Sequence, residues 1–325
     1  MSGWPWTEAS PQLLDGLSGA GHWRKVSIVT PSYNQGQFIE ETIRSVLLQG
    51  YPDLEYIVID GGSTDNTKEI LQKYHPWFTY YCSEPDGGQA DALNKGFAKA
   101  SGMILGYLNS DDVYEKSAIQ RLGLNYLCPE NEKNLMVYPV EDFGCCIPVT
   151  YLAQPNHTPQ SLLTGETSLH QPGVFWSRLA WSAVSGFDVS YRYCFDRKFF
   201  MQILIEGFQL NCYTGPVLAK FRWHDQSKTY NETELGFIHE IDRLAKEIGW
   251  EFVRAGLLTK NEWGAILSIR RQLAMSAMRY RISHEADSLR QTWRCFFELL
   301  HYHPDALLTR FFWGSVKDSL RSLLL

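Results

Sequence analysis

An apolar run that stops at two adjacent carboxylates constrains the fold of this chain more than any other feature. The run occupies residues 103–108 and is followed by Asn109-Ser110-Asp111-Asp112. A β-strand covered on both faces has such a continuous apolar sequence, and open α/β sheets bind ligands beyond the carboxyl ends of their strands. The sequence therefore predicts a buried strand that carries both aspartates to the ligand-binding edge of an α/β sheet.

The two aspartates have two interpretations when they are taken alone. Neighbouring carboxylates repel each other unless a cation or hydrogen-bond donors stabilise them. A hard divalent cation that also binds phosphates, such as Mg²⁺ or Mn²⁺, would provide that stabilisation. The structural alternative is that Asp111 or Asp112 caps a helix that begins near Tyr114.

The composition narrows the class of protein. A chain of 325 residues, 44% of them hydrophobic, can bury the core of one large domain with an appendage. The net charge of −6 argues against a nucleic-acid partner. The seven cysteines have no metal-binding spacing and are typical of reduced thiols in a cytosolic protein. Residues 1–25 lack a secretory signal and no stretch approaches the roughly 18 to 20 apolar residues of a membrane span, so we expect a cytoplasmic protein.

Polar loops also follow two strands that are predicted upstream. The strand Val26–Thr30 runs into Pro31-Ser32-Tyr33-Asn34, and the strand Leu54–Ile59 runs into Asp60-Gly61-Gly62. The helix predicted between these strands makes them a βαβ unit. The glycines let the backbone approach a ligand, and Asp60 is placed to accept a hydrogen bond from a nucleobase or ribose. Taken alone, the glycine pair indicates only a tight turn.

A third strand, predicted over residues 78–82, ends in a loop that contains Asp86 and feeds a helix that contains Lys95. The amides at the start of that helix, together with Lys95, offer a positive potential that suits a diphosphate. The alternative is a solvated loop with a surface lysine. Including the strand that ends at the aspartate pair, three successive strand ends carry polar, glycine-rich or acidic loops.

Four motifs in this region occur in the order and spacing of family 2 glycosyltransferases with the GT-A fold, and the chain resembles that family over roughly residues 26–227. The motifs are Pro31-Ser32-Tyr33-Asn34, Asp60-Gly61-Gly62-Ser63-Thr64-Asp65, Glu84-Pro85-Asp86-Gly87-Gly88 and Asn109-Ser110-Asp111-Asp112. The resemblance implies an α/β domain of GT-A type, Rossmann-like, with a mostly parallel central sheet flanked by helices. It also implies a UDP-, GDP- or dTDP-linked sugar donor and a divalent metal, Mn²⁺ or Mg²⁺.

The resemblance assigns roles on the donor side. It implies that Asp111 faces the ribose and that Asp112 holds the metal. The residues implied around the nucleoside and diphosphate are Pro31, Tyr33, Asn34, Asp60, Gly61, Asp86 and Lys95. Where this chain has Gly61, many relatives have a second aspartate, which often reads uracil. The resemblance therefore does not identify the base of the donor nucleotide.

The resemblance also assigns roles in the second half of the domain. It implies that Asp196 is the general base, with Phe195 in place of the usual glutamate; the alternative is a helix cap. His224 is implied on the metal side, since imidazole and carboxylate together suit Mn²⁺. His170 and Gln171 are placed on the acceptor side, although a histidine beside proline and aromatic residues is more often packed in a core.

The chain changes character from Leu235 onward, where helices without ligand-binding loops are predicted. We therefore divide it into a leader (1–25), a glycosyltransferase domain (26–230) and a C-terminal helical extension (231–325). The extension has apolar stripes, one of them formed by Ala274, Met278, Ile282, Ala286 and Leu289. It is also basic through Arg270, Arg271, Arg279, Arg281, Arg290, Arg294, Arg310, Lys317 and Arg321. Such stripes indicate either a helical bundle or homo-oligomer contact, or a surface that lies on anionic lipid at the inner face of the membrane.

The sequence predicts an inverting, metal-dependent hexosyltransferase that moves a sugar to a glycan or a lipid-linked acceptor, in cell-surface polysaccharide synthesis. Two alternatives stay open. A nucleotidyltransferase would use the same metal-bound nucleotide, but it would leave Asp196 without a role. A catalytically silent nucleotide-sugar or glycan-binding scaffold is compatible with Phe195 and Gly61, the two positions at which this chain departs from the family's motifs.

Overall fold

The computed structural model of the chain describes residues 2–13, 23–126, 132–144, 148–153, 157–225, 227–228 and 234–284, with residues 293, 297, 299–300 and 316–317. The chain forms two compact units. The first comprises residues 1–157 and 169–230, and the second comprises residues 158–168 and 231–325. Residues 158–168, which the sequence analysis placed within the glycosyltransferase domain, thus belong to the second unit.

The first unit contains a seven-stranded sheet with the order β10-β6-β9-β4-β1-β2-β3. Strands β4, β1, β2 and β3 are parallel neighbours, and β9 is antiparallel to both β4 and β6. All residues of β1 are buried, as expected for a strand covered on both faces. The mostly parallel sheet flanked by helices confirms the predicted fold class. The strands are β1 Val26–Ser32, β2 Leu54–Asp60, β3 Tyr80–Ser83, β4 Ile104–Tyr107, β6 Asn134–Val137, β9 Val174–Ser177 and β10 Gln209–Cys212.

A second, four-stranded sheet in the same unit has the order β5-β11-β7-β8. Its strands are β5 Val113–Tyr114, β7 Val140–Phe143, β8 Thr150–Tyr151 and β11 Ala219–Arg222. Strand β11 is antiparallel to β5, which directly follows Asp112, and parallel to β7. This pairing brings the segment around Arg222 beside the aspartate pair, although more than a hundred residues separate them in the chain.

The helices of the first unit are α1 Ile39–Leu47, α2 Thr67–Tyr74, α3 Gln89–Phe97, α4 Ala118–Asn125, α6 Arg178–Ala183 and α7 Phe195–Ile205, with 3-10 helices at His75–Trp77 and Gln171–Gly173. Helix α1 buries Ile39, Ile43 and Val46, which recur at helical spacing on one face. The helix after the aspartate pair is α4, whose N-cap is Ser117. The interpretation of Asp111 or Asp112 as the cap of a helix near Tyr114 is therefore wrong, because a strand intervenes.

An aromatic cluster fixes the start of α7. The rings of Phe187 and Phe199 lie 4.5 Å apart and those of Trp176 and Phe199 lie 5.1 Å apart. Phe195 joins the cluster through Phe187, 5.4 Å away, and it is 4% exposed. A buried aromatic side chain at position 195 thus anchors the first turn of the helix that contains Asp196.

The second unit contains α5 Pro159–Thr164, α8 Glu234–Arg254 and α9 Lys260–His284. The guanidinium of Arg270 on α9 lies 2.8 Å from the Asp242 carboxylate on α8 and donates to the Thr164 carbonyl on α5. Both charged side chains are almost completely buried, so the ion pair joins α8 to α9 and the hydrogen bond joins α9 to α5. Arg270, predicted as part of a basic surface, is therefore buried instead.

The predicted apolar stripe of the extension is only partly described. Ala274 and Met278 are buried, together with Met275. The side chains of Ile282, Ala286 and Leu289 lie outside the described residues, as do those of several of the predicted basic residues, Arg279, Arg281, Arg290, Arg294, Arg310 and Arg321. None of the helices in the described part is long and apolar enough to cross a membrane.

Candidate active site

The carboxyl ends of β1, β2 and β3 meet at Asp60. Ser32 pairs with Asp60, and Asp60 pairs with Ser83. The Asp60 side chain is fully buried and accepts hydrogen bonds from the Ser63 amide (3.0 Å), the Ser83 hydroxyl (2.6 Å) and the Ser63 hydroxyl. Both carboxylate oxygens of Asp60 therefore hold the loop after β2.

The loops after β1 and β2 are joined through Asn34. Asn34 has a φ of 53°, a left-handed conformation that asparagine tolerates. Its side-chain oxygen accepts a hydrogen bond from the Thr64 backbone amide at 2.8 Å, and the Asn34 backbone amide donates to the Ser63 hydroxyl at 2.7 Å. Two residues that precede Asn34 differ in exposure, since Pro31 is buried whereas Tyr33 is 61% exposed. Tyr33 is therefore accessible at the sheet edge.

The Asp86 carboxylate lies over Gly61. A Cβ atom added to Gly61 would come within 2.8 Å of Asp86 Oδ2 and 3.2 Å of Oδ1. Asp86 Oδ1 accepts a 2.8 Å hydrogen bond from the Gly88 amide, which fixes the carboxylate's orientation. Asp86 thus occupies the space that a side chain at position 61 would fill.

Lys95 is already paired within its own loop and helix. Its ammonium group lies 3.3 Å from Asp91 and 3.7 Å from Glu84. The Asp91 carboxylate also accepts from the Gly87 amide at 2.9 Å. Anionic groups of the chain therefore contact both Lys95 and one of the amides before α3, which the sequence analysis had placed beside the diphosphate.

Asp112 is held from several directions. Its side chain is fully buried and accepts from the Arg222 backbone amide at 2.9 Å and from the Asn109 side-chain amide at 3.2 Å. Its backbone carbonyl accepts from the Thr42 hydroxyl at 2.7 Å. Burial, and then the charge of Asp111, raise the pKa of Asp112 well above its ordinary value, although the bonds from Arg222 and Asn109 oppose the rise.

Asp111 faces His224 rather than the protein interior. His224 Nε2 lies 2.9 Å from Asp111 Oδ2, and the Asp111 side chain is 19% exposed. The imidazole packs on the Phe38 ring, with the ring centres 4.5 Å apart. A carboxylate and an imidazole thus meet at a partly open position beside the buried Asp112.

Arg222 supports this pair, and the sequence analysis did not single it out. Its Nε donates to the Asp111 carbonyl at 2.7 Å, and its NH2 group lies 2.6 Å from Glu41. Its guanidinium carbon is 4.8 Å from the Phe38 ring centre and 4.2 Å from that of Phe143, within cation–π distance of both. The guanidinium is therefore fixed by charge, hydrogen bonding and aromatic contact at once.

A chain of side-chain amides runs along the same edge. Gln89 Nε2 donates to Asn109 Oδ1 at 2.6 Å, and Asn109 Nδ2 donates to Gln171 Oε1 at 3.2 Å as well as to Asp112. Gln171 Nε2 donates to the Tyr107 carbonyl at 2.6 Å, and Lys228 donates to Gln89 Oε1 at 2.9 Å. Gln171, predicted on the acceptor side, therefore positions Asn109, while Gln89 and Lys228 were not predicted at all.

Asp196 lies in the first turn of α7. The N-cap residue is Cys194, and the Asp196 carboxylate accepts from the Arg197 amide at 2.7 Å. Burial raises the pKa of Asp196, and the bond and charge from Arg197 and the charge of Lys228 partly oppose the rise. The ring of Phe195, the residue before Asp196, lies 6.4 Å from the ring of Tyr107, so the first turn of α7 packs beside the end of β4. Burial, followed by the charges of Asp196 and Asp112, raises the pKa of Tyr107 well above its ordinary value.

His170 is packed against an aromatic ring. It stacks on Tyr151 with ring centres 3.7 Å apart and planes inclined by 21°. Burial, followed by the charge of Arg197, lowers the pKa of His170 to about 4, so the imidazole is neutral at physiological pH. The Tyr151 hydroxyl donates to Asp142 at 2.8 Å.

The donor set at the edge fits a divalent cation that shares its coordination with a substrate. Within the described ranges, no group of three or more His, Cys, Asp and Glu side chains is arranged to hold a metal ion. The pair of Asp111 and His224 supplies one carboxylate and one imidazole. Mg²⁺ in nucleotide sites commonly takes one or two carboxylates and completes its shell with phosphate oxygens and water, and imidazole with carboxylate suits Mn²⁺.

Sequence comparisons identify relatives of the chain. Residues 27–132 match the family model described as glycosyl transferase family 2. An uncharacterized glycosyltransferase of Mycobacterium tuberculosis is 32% identical over 203 residues, covering 60% of this chain and 74% of the relative. TuaG of Bacillus subtilis, a putative teichuronic acid biosynthesis glycosyltransferase, is 39% identical over 105 residues, which is 31% of this chain and 41% of TuaG.

Solved structures share the fold at low sequence identity. Residues 1–349 of TarS from S. aureus align with a TM-score of 0.63 and 18% identity, covering 92% of this chain and 90% of that one. The mannosyltransferase PcManGT from Pyrobaculum calidifontis, in complex with GDP-Man and Mn²⁺, aligns with a TM-score of 0.53 and 16% identity over 98% of this chain and 91% of that one. The chain belongs to family 2 of the glycosyltransferases, and the GT-A fold is confirmed.

Proposed function

We propose that this chain is an inverting, metal-dependent hexosyltransferase that moves a sugar from a nucleotide-sugar donor to a hydroxyl of a glycan or lipid-linked acceptor. The observation that carries the proposal is the Asp111–His224 pair at the sheet edge, with Asp196 in the turn whose Phe195 ring lies 6.4 Å from Tyr107 on β4. One edge then holds a metal-binding pair and a separate carboxylate with a raised pKa, which are the two groups that glycosyl transfer to a hydroxyl requires.

We propose that Asp111, with His224, is the metal-side carboxylate, which exchanges the roles that the sequence analysis gave to Asp111 and Asp112. Asp112 already accepts from Arg222 and Asn109 and is fully buried, whereas Asp111 is partly exposed and faces an imidazole. A bound divalent ion would neutralise charge on the leaving diphosphate. Asp112 would then fix the backbone that presents Asp111.

Asp196 would accept the proton of the acceptor hydroxyl as that oxygen forms the new glycosidic bond. A raised pKa makes the ionised carboxylate a stronger base, while Arg197 and Lys228 favour its ionised form. A single displacement of the nucleoside diphosphate inverts the configuration at the anomeric carbon. The departure at Phe195 does not weaken this role, since that side chain packs in the aromatic cluster.

The relatives support the donor class and the biological setting of the proposal. Solved structures of TarS contain UDP and UDP-GlcNAc, and PcManGT contains GDP-Man with Mn²⁺. TuaG is named as a putative teichuronic acid biosynthesis glycosyltransferase. By analogy we place this chain in surface-polysaccharide synthesis, in the cytoplasm, with the basic extension either on the inner membrane face or in a homo-oligomer contact.

The test is thermal stabilisation by UDP, GDP, dTDP and CDP, with and without Mn²⁺. A ligand that binds only the folded state must raise its stability. We expect metal-dependent stabilisation by one nucleotide, its loss in Asp111→Asn, and its retention in the control Glu69→Gln on the exposed face of α2. If no nucleotide stabilises the intact chain under any condition, the proposal is wrong.

A second experiment separates the alternatives. A nucleotidyltransferase would release pyrophosphate, whereas a glycosyltransferase releases a nucleoside diphosphate. A silent scaffold would bind donor and show no change in any turnover on Asp196→Asn. We expect nucleoside diphosphate release, including slow donor hydrolysis, that depends on Asp196.

A further inference from the structure

Strand β5, which directly follows the aspartate pair, lies at the edge of the second sheet. It pairs with β11 on one side. Both of its residues are buried, so its outer edge is not open to water. Buried backbone amides and carbonyls need hydrogen-bond partners, and an edge strand has one row of them that no neighbouring strand satisfies. Side chains from elsewhere in the chain must therefore bond to this edge.

Two hydroxyls of α1 bond to the outer edge of β5. The Thr42 hydroxyl donates to the Asp112 carbonyl at 2.7 Å. The Ser45 hydroxyl accepts from the Tyr114 backbone amide at 3.2 Å and donates to the Thr42 carbonyl of its own helix at 2.8 Å. The indole of Trp4 donates to the Tyr114 carbonyl at 2.8 Å. The backbone from Asp112 to Tyr114 is thus held on both sides, by β11 and by these side chains.

Thr42 and Ser45 lie where a helix would ordinarily bury apolar residues. Both are fully buried, on a helix whose other buried residues are Ile39, Ile43 and Val46. Burying a hydroxyl costs stability unless the hydroxyl is hydrogen-bonded, and threonine and serine favour a helix less than alanine or leucine does. The bonds to the segment after the aspartate pair account for hydroxyls at these two positions.

Helix α1 also contacts the strand that holds the Asp112 carboxylate. Glu41 lies 2.6 Å from Arg222 on β11, and the Arg222 amide donates to Asp112 at 2.9 Å. In the chain, α1 follows β1 of the first sheet, whereas the two aspartates lie between β4 of the first sheet and β5 of the second. Helix α1 therefore connects the aspartate pair to the first sheet, whose strand ends form the proposed donor edge.

We propose that Thr42 and Ser45 are positioning residues for the metal site, because their hydroxyls fix the backbone that carries the Asp111 carboxylate. Neither hydroxyl contacts the ion, and each acts through the backbone of residues 112–114. Movement of this backbone would separate Asp111 from His224, which lies 2.9 Å away. The inference rests on the proposed function, since this carboxylate belongs to the same site.

The test is calorimetric titration of Mn²⁺ into the intact chain in a mixture of UDP, GDP, dTDP and CDP, with a protein-free titration subtracted. The quantity measured is the Mn²⁺ concentration at half-saturation. Replacing a group that orients a metal ligand typically costs about 10–100-fold in metal affinity. Valine has nearly the shape of threonine but no hydroxyl, so we expect Thr42→Val to raise the half-saturating concentration about tenfold.

Two further variants test the role of the hydroxyls. Thr42→Ser keeps the hydroxyl and should bind Mn²⁺ as the native chain does, although it loses a buried methyl group. Ser45→Ala removes the acceptor of the Tyr114 amide, two residues beyond Asp112. It should raise the half-saturating Mn²⁺ concentration less than Thr42→Val does, and it tests the inference by itself if Thr42→Val does not fold.

The matched control is Gln49→Leu, one helical turn beyond Ser45. Gln49 is also fully buried, and its side chain bonds to the Glu115 carbonyl and to the Ile119 amide, each at 3.0 Å. These contacts lie beyond β5, so their loss should lower the melting temperature without changing the affinity for Mn²⁺. A purely structural role for Thr42 would give the same pattern as Gln49→Leu.

The outcomes distinguish this inference from the proposed function. An unchanged half-saturating Mn²⁺ concentration in Thr42→Val, or in Ser45→Ala if Thr42→Val does not fold, would overturn the inference and leave the donor site intact. An equal increase in Gln49→Leu would also overturn it, because the affinity would then follow stability alone. If the native chain binds no Mn²⁺ with these nucleotides, the proposed function is wrong and the inference fails with it.

Discussion

The carboxylates of the two units are held in different ways. In the second unit, Asp242 is 1% exposed and faces the guanidinium of Arg270 at 2.8 Å. At the sheet edge of the first unit, Asp60 and Asp112 are held by amides and hydroxyls, and the guanidinium of Arg222 bonds to the Asp111 carbonyl and to Glu41. A direct ion pair satisfies a carboxylate's charge, whereas neutral donors fix its position and leave its charge available.

This difference separates a structural site from a candidate functional one. The Arg270 pair stabilises helices and has no unsatisfied negative charge to offer a ligand. At the edge of the first unit, Asp111 is partly exposed beside an imidazole, and the Arg197 backbone amide orients Asp196, so these two carboxylates are placed to bind a cation or a proton.

Replacing Asp196 should abolish most transfer without unfolding the protein. General base catalysis contributes about 10²–10⁴-fold, so Asp196→Asn should lower turnover by that factor. Burial raises the pKa of Asp196, which means that its ionised form is disfavoured in the folded state, so the neutral asparagine should not lower the melting temperature. Turnover and thermal unfolding are measured on the same preparations of Asp196→Asn and of the native protein. Equal turnover in the two proteins would rule out Asp196 as the base.

Breaking the ion pair in the second unit should cost stability. Removing one partner of a buried pair typically costs about 3–5 kcal/mol, because the other charge stays buried, so we expect Arg270→Met to lower the free energy of unfolding by that amount. The double variant Arg270→Met with Asp242→Leu should recover most of the loss. The control is Arg243→Met, whose exposed pair with Glu247 should contribute about 0.5 kcal/mol or less. Urea titration measures the free energy of unfolding of each variant. If Arg270→Met leaves that free energy unchanged, the contrast between the two units is contradicted.

Replacing Arg222 should weaken metal-dependent nucleotide binding with little effect on the rest of the fold. Hydrogen bonds to charged groups contribute about 1.5–3 kcal/mol, so loss of the bond to the Asp111 carbonyl in Arg222→Met should reduce affinity about tenfold. Lys220→Met on the same strand removes a half-exposed ion pair with Glu115 and serves as the control. Calorimetric titration with nucleotide in the presence of Mn²⁺ measures the affinity of each of the two variants. Identical affinities for the two variants would show that Arg222 does not position Asp111.

The pH dependence of Asp196 is the smallest of the expected effects. Because its folded-state pKa lies above that of an ordinary aspartate, transfer should rise with pH through a limb displaced to higher pH. The stability linked to protonated Asp196 is complete below the unfolded-state pKa of about 3.9 and is lost as pH rises through the folded-state pKa. As pH rises across this interval, the melting temperature of Asp196→Asn should therefore increase relative to that of the native protein. A constant difference would mean that burial does not raise this pKa.

The central strands of the fold could be predicted from the sequence because burial on both faces leaves continuous apolar runs. Strands β1, β2 and β4 coincide with such runs, and the turn residues after each strand indicate where it ends. The small second sheet could not be predicted in the same way. Strand β5 has two residues, and its pairing with β11 depends on contacts between distant parts of the chain.

The candidate site was predictable in its types of residue but not in its individual contacts. Adjacent residues such as Asp111 and Asp112 point in different directions, and only the hydrogen bonds distinguish the buried carboxylate from the partly exposed one. Arg222 and Gln89 were missed because arginines and glutamines on short elements have no periodic signal. The sequence Phe221-Arg222-Trp223-His224 places an arginine two residues before the predicted histidine, and that spacing was the available clue, although β11 ends at Arg222.

The most direct test of the donor site is an anomalous difference map from crystals soaked with Mn²⁺ and the nucleoside diphosphate that stabilises the chain. The account predicts a manganese peak in contact with the Asp111 carboxylate and His224 Nε2, next to the diphosphate. A peak on Asp112 instead would return the metal to the buried carboxylate. A peak elsewhere in the molecule, with none at the edge beyond β4, would contradict the proposed donor site itself.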